Sequence, residues 1–272
     1  MPFRRRNAKP KRFANRRSKY MSRAKAARAG VARMLRQRAG RSFRRNLRKN
    51  IEVKRATYNT NQVGYNSTID NNDVAQLMPD IGNNIGSTGR IGQSIRLLKM
   101  TVDVQLMYDQ NTAGPNIDNS EVLTRAFILK QKDTVDWRLA IGGGFKYTQL
   151  LESGENGQDY NGTVLRHYRK VNNDVFVKKK QKFGRLQAYN FDTGTASLGV
   201  VGTSKSFRHF TWKMKFGKNG KKLLYGNLTD TQPLNFPYFF CFGYCYPSGA
   251  AADTITTRVL VQYLVNVWYT DL

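Results

Sequence analysis

Acidic residues are scarce in this chain: 18 Asp and Glu stand against 46 Lys and Arg among 272 residues. Chemistry that relies on paired carboxylates therefore has little material. Histidine is scarcer still. His167 and His209 are the two present, each set among basic residues in strand-like text, with no Cys or acid at metal-ligand spacing. Both read as ordinary strand histidines, and neither a metal nor another cofactor is expected. Cysteine also occurs twice, at Cys241 and Cys245. On one strand, that spacing would hold them about 13 Å apart, whereas disulfide-bonded Cα atoms sit roughly 4.4–6.8 Å apart. They read as buried small hydrophobes in a reducing compartment. No run approaches the roughly 18 apolar residues of a membrane helix; the most apolar tail, Val259 to Tyr269, is broken by Gln262 and Asn266. No apolar stretch follows the basic N-terminus, so no secretory signal and no membrane insertion are expected.

Phosphate and nucleophile motifs are missing too. No P-loop or dinucleotide fingerprint occurs. In "GTASLG", Ser197 lies between Gly194 and Gly199, one position off the spacing of a nucleophile elbow. Asp133 and Asp136, and Asp70 and Asp73 in an Asn-rich loop, read as turn and cap residues. Asn66, Asn161 and Asn227 open glycosylation sequons, silent if no signal peptide precedes them. Gly89-Arg-Ile-Gly92 fits the clamp that KH domains close on nucleic acid. That use needs flanking helices, and strand text follows. The glycines read instead as a sharp turn into the first core strand. Arg90, Arg96 and Lys99 around it could face a polymer, a neighbouring subunit or water.

What the sequence does have is positive charge, placed unevenly. The formal net charge is +28; residues 1–55 carry 22 Lys and Arg against one acid, Glu52, a net of +21, which leaves +7 for the rest. Such density opposes a packed core, so the first 20 or so residues should be disordered when free. An Ala-rich stretch from Ser22 to Arg38 could form a helix once phosphates neutralise it. The candidate nucleic-acid-binding residues are Arg4, Arg5, Arg6, Lys9, Lys11, Arg12, Arg16, Arg17, Lys19, Arg23, Lys25, Arg28, Arg33, Arg36, Arg38, Arg41, Arg44, Arg45, Arg48 and Lys49. A guanidinium fork pairs two phosphate oxygens and never deprotonates. Backbone neutralisation of this kind is sequence-independent and salt-sensitive. Phe3, Phe13, Tyr20 and Phe43 could stack on unpaired bases or anchor the arm to the body. The same basic clusters match nuclear import signals.

From Ala56 onward the composition turns to Asn, Thr, Gly and β-branched residues, and apolar residues alternate. Met100 to Tyr108, Leu123 to Leu129, Phe207 to Phe216, Tyr238 to Tyr246 and Thr256 to Tyr269 read as strands. Val164–Val171 and Val175–Phe183 flank "NND" and read as a hairpin, and Lys222–Tyr225 is a weaker strand. Lys178, Lys179, Lys180 and Lys182 would form either a phosphate-facing patch or a solvated face. Long polar connections between such strands suit an all-β, eight-stranded antiparallel jelly roll built as a double sheet over residues 56–272, behind the arm of residues 1–55. An immunoglobulin-like sandwich lacks its Cys…Trp…Cys spacing here.

The layout resembles the capsid proteins of small circular single-stranded DNA viruses, the circovirus-like or CRESS-DNA group. The resemblance rests on the Arg-rich arm, "RIGQSIRLLKMTVDV", the basic "RHYRKVNNDVFVKKKQKF" and the closing "QYLVNVWYTDL". It implies a virion protein, a single jelly roll of two packed four-stranded sheets, with strands near Ser94–Tyr108, Glu121–Lys130, Val164–Val171, Val175–Phe183, Ser206–Phe216, Lys222–Tyr225, Tyr238–Tyr246 and Thr256–Tyr269. It implies a T=1 icosahedral shell of about 60 copies, with the arm inside on a single-stranded genome, DNA before RNA. The other partners implied are host nuclear import receptors and a cell-surface receptor, with assembly in the host nucleus. About 60 arms at this charge would bring roughly 1,300 positive charges to the genome phosphates. The same text is compatible with the shell of a small single-stranded RNA virus or satellite, or with a cellular basic nucleic-acid-binding protein. A nucleic-acid-processing enzyme would need the clustered His and acids that are missing.

Overall fold

The computed structural model describes residues 52–108, 121–141, 143–152, 157–187, 206–217, 219–247 and 259–272. The basic residues named on the arm, Arg4 to Lys49, lie outside the described residues, as do the helix expected over residues 22–38 and Ser197. The body, Val53–Leu272, forms one unit.

Among the described residues there are nine strands: β1 (Lys54–Asn59), β2 (Val63–Tyr65), β3 (Ser94–Tyr108), β4 (Glu121–Gln131), β5 (Phe176–Gln187), β6 (Phe207–Lys215), β7 (Lys221–Leu224), β8 (Tyr238–Cys245) and β9 (Val259–Asp271). They make two antiparallel sheets. In the first, β9 and β3 lie side by side. β1 and β2 follow one another along the far edge of β9, and β6 and β7 along the far edge of β3, so six strands fill four lanes. The second sheet runs β5-β4-β8. Pairing is nested: the long β3 pairs with the last strand, and β4 with the second-last. Two packed sheets with nested pairing make a jelly-roll-like β sandwich, the all-β class read from the sequence.

The strand inventory differs from the expected four plus four in two places. Val164–Val171 is not a strand. Val164–Tyr168 forms a short α-helix, α1, so "NND" does not join a hairpin. Alternating V-L-R-H-Y fits a strand by pattern, but local partners decide otherwise. Asn161 Oδ1 accepts from the backbone N–H and hydroxyl of Thr163 ahead of the helix. Arg166 pairs with Asp159 at 2.5 Å. At the other end, Arg125 on β4 donates to the carbonyls of His167 (2.5 Å) and Arg166 (3.3 Å), satisfying last-turn acceptors that a helix leaves open. His167 is therefore a helical residue, not a strand one. The second difference is β1 and β2, which no sequence pattern announces. Lys54 and Arg55 look like the tail of the arm, yet Lys54 is 4% exposed and pairs with Asp271 at 2.9 Å.

A β-bulge shapes β3. Its register with β9 slips between Leu97 and Lys99. Ile95 and Leu97 point into the core before it, and Met100, Val102, Val104 and Leu106 after it. The extra residue re-aims the strand, so Arg96 and Lys99 both reach the outer face. Between the sheets, Phe240 of β8 packs on Tyr263 of β9, ring centres 4.9 Å apart, and on Trp212 of β6 at 6.3 Å. Cys241 and Cys245 are free and buried on β8, which burial holds as thiols by pushing both pKa values up.

Candidate nucleic-acid interface

The glycine loop before β3 is a structural joint. Gly92 has φ of +81°, a conformation that L side chains rarely adopt. A Cβ at Gly89 would run into the Asn84 side chain and come within 2.7 Å of the Asn84 carbonyl. Arg90 between them is fully buried. Its guanidinium donates to the carbonyls of Ile81 (3.3 Å), Gly92, Asn227 (2.9 Å), Leu228 (3.0 Å) and Asp230 (2.7 Å), and lies 4.1 Å from the centre of the Tyr225 ring. Carbonyl dipoles thus compensate a charge held away from water. Lys54 donates to Gly89 O, Tyr269 to the carbonyls of Thr88 and Gly89, and Ile91 N–H to Asp271. The loop is tied to both ends of the body, and Arg90 is not available to a polymer.

Arg96 and Lys99 lead elsewhere. On the outer face of the first sheet, register aligns Arg55 (β1), Trp268 (β9), Lys99 (β3) and Lys215 (β6) in one row across four strands. The Lys99 ammonium is 4.3 Å and the Arg55 guanidinium 5.6 Å from the Trp268 ring centre. The next row is Thr57, Asn266, Thr101 and Lys213. Asn266 is buried there, its Oδ1 accepting from Arg55 (2.5 and 3.1 Å) and Thr57 (3.1 Å). Arg96 flanks the rows, between Thr270 and Lys222. These two rows hold four cations and no carboxylate. The nearest acid on the same face, Asp103, accepts from Thr211 at 2.5 Å. Cations around a half-exposed indole suit unpaired nucleotides: the ring offers a stacking surface and the ammoniums and guanidinium meet phosphate.

The other sequence candidates fall apart from this face. Lys178, Lys179 and Lys182 are exposed on β5, an edge strand, and Lys180 is half-buried. Lysines there block edge-to-edge pairing. Asp136 caps a 3-10 turn, Trp137–Ala140, accepting from Arg138 N–H. Asp133 pairs with Lys146 at 2.6 Å, which holds its carboxyl below the usual range. Asp70 and Asp73 accept backbone N–H groups within their own turn. His167 is buried, its Nδ1 sharing a 2.6 Å hydrogen bond with the Tyr160 hydroxyl. Burial, with the Arg125 charge, lowers its pKa to about 4. His209 is exposed on β6. Among the described residues no group of three His, Cys, Asp or Glu could hold a metal, and no helix is long and apolar enough to cross a membrane. Sequence reading missed Arg55, Lys213, Lys215 and Trp268 as one surface, because they come together only through strand register. The signal was local: "NVWYT" sets one Trp on the polar phase of an otherwise apolar-alternating strand.

No family description matches the chain, and no curated protein does. Among solved structures, the chain is similar to VP1 of Trichodysplasia spinulosa-associated polyomavirus at 9% identity, over 80% of this chain and 94% of that one, with a TM-score of 0.19. A likeness of that size carries no argument about fold or function.

Proposed function

We propose that the chain is a shell-forming structural protein of a small single-stranded DNA virus, and that the arm and the outer face of the first sheet hold the packaged genome. The observation that carries this reading is the carboxylate-free row Arg55–Trp268–Lys99–Lys215 on the first sheet, following residues 1–53, whose 20 Lys and Arg against Glu52 give a net charge of +19. Together they supply two complementary devices. Arg and Lys of the arm neutralise phosphate without regard to sequence, and the Trp268 row adds stacking for unpaired bases. A sandwich suits the container role, since its broad faces and long connections give each copy several surfaces for neighbours. The role is structural and not catalytic. In this reading copies assemble in the host nucleus, reached through import receptors that bind the arm, and the closed shell of about 60 subunits meets a cell-surface receptor from outside.

Electron microscopy of the purified protein tests the reading, with nuclease digestion of what co-purifies. Closed shells protecting DNase-sensitive nucleic acid support it. RNase-sensitive cargo moves it to an RNA virus. Monomers or dimers under all salt and nucleic-acid conditions would exclude a container and favour a cellular nucleic-acid-binding protein.

A further inference from the structure

A basic cluster remains that neither the arm nor the outer face accounts for. It sits at one end of the sandwich, where side chains of both sheets meet, with Lys179 exposed and Lys130 and Lys221 half-buried. Tyr238 on β8 points between the sheets, on the same side as Phe240 two residues on. Lys130 on β4 is in register with Tyr238 and shares that side. From the opposite sheet, Lys221 on β7 lies across from the inward-facing Leu97. Its ammonium reaches 5.0 Å from the Tyr238 ring centre and 5.8 Å from that of Phe236. The register of β5 slips beside Lys179, and this bulged residue brings another ammonium to 5.5 Å from the Tyr238 ring. Phe236 and Phe216 extend the aromatic wall, 5.4 and 6.2 Å from Tyr238 between ring centres.

Like charges gathered in this way repel. Among the described residues Lys130, Lys179 and Lys221, like the cations of the outer face, make no salt bridge to a carboxylate. Burial, then the charges of Lys130 and Lys179, push the Lys221 ammonium down to about 8. An incoming anion relieves that repulsion. We propose that Lys130, Lys179, Lys221 and Tyr238 form a phosphate-binding site at this end of the sandwich. Phosphate suits it because ammonium groups arriving from three strands can each meet a different oxygen of one tetrahedral anion. The anion is either free phosphate or a phosphodiester of a bound strand. The site does not depend on the packaging reading.

Acetylation of the full-length protein, followed lysine by lysine with peptide mass spectrometry across pH 7–10, tests this. At pH 8 about half of Lys221 carries a free amine, against about one in 250 for an ordinary lysine. Lys221 should therefore react at least about tenfold faster than exposed Lys222. Inorganic phosphate, balanced with chloride at constant ionic strength, should slow Lys221 several-fold and leave Lys222 unchanged. Lys179→Gln, at an exposed edge position, should raise the pH at which Lys221 becomes reactive and weaken the protection. A thymidine dinucleotide with a single phosphodiester separates the sources: protection by it assigns the site to a strand, and protection by inorganic phosphate alone to a free anion. Equal slowing of Lys221 and Lys222, or no protection by either probe, overturns the proposal.

Discussion

Between pH 7 and 4, a buried histidine and a half-buried aspartate pull the stability of the body in opposite directions. His167 packs against Tyr160, Tyr168 and Phe183 with Arg125 close by, and its pKa falls from the ordinary value near 6.5 to about 4. Below pH 6.5 the unfolded chain takes up a proton that the folded chain refuses. Stability present above 6.5 is lost progressively down to about pH 4, by up to about 3 kcal/mol. Asp73 has the opposite sign. Burial raises its carboxyl to about 7, partly offset by the Asp70 N–H that donates to it and reinforced by the Asp70 charge. Here the folded chain keeps a proton that the unfolded chain releases near 3.8. That stabilisation is complete below 3.8 and is lost as pH rises through about 7. From pH 4 to 6.5 each slope is about 1.4 kcal/mol per pH unit, with opposite sign, so stability should stay nearly level. Asp73→Asn keeps an acceptor for Asp70 N–H and removes the titration. Urea unfolding of this variant, followed by tryptophan fluorescence at fixed protein concentration, should show a loss of about 3 kcal/mol between pH 6.5 and 4. The unsubstituted chain should change by less than about 1 kcal/mol. A variant as level as its parent would refute the argument, and so would a His167 ring titrating near pH 6.5 by NMR.

On the outer face, Lys99→Gln with Lys215→Gln should reduce the salt slope of single-strand binding by about 1.4 in log–log terms. Trp268→Ala should weaken it by about 1–3 kcal/mol at fixed salt; unchanged values would take this sheet off the polymer. Arg90→Met leaves the carbonyls of Asn227, Leu228 and Asp230 without their donor, at a cost of about 1–3 kcal/mol. This should read as a lower urea midpoint at unchanged slope. Deleting residues 1–50 removes every candidate residue named on the arm and spares the buried Lys54. Circular dichroism should keep its β signature while nucleic-acid packaging is lost.

Periodicity made the long strands legible. Ser94–Tyr108 falls where the apolar-basic text begins and ends, and the aromatic-rich Tyr238–Cys245, with no charged residue, needs no partner to be read as buried. What stayed hidden depended on contacts distant in sequence. The five residues of α1 alternate like a strand, and their helix rests on Asp159, Tyr160 and Arg125. The bulge at Leu98 was written in the text, since Ile95 and Leu97 are out of phase with Met100 and Val102, but it gains meaning only with β9 beside it. Arg90 could not be told from a phosphate ligand, because its acceptors are backbone carbonyls contributed by residues 81, 92, 227, 228 and 230. The Trp268 row exists only once four strands are in register.

The Lys54–Asp271 contact also has a mechanical side. β1 and β9 run antiparallel with Lys54 opposite Tyr269 and Asn59 opposite Leu264, so the start of β1 and the end of β9 lie at the same end of one ladder. Tension applied between Lys54 and Asp271 loads that ladder as a zipper and not in shear: after the Lys54–Asp271 latch, the rungs open singly and in order. The sandwich should therefore yield at low force from this corner, while β4 and β8 stay closed behind it.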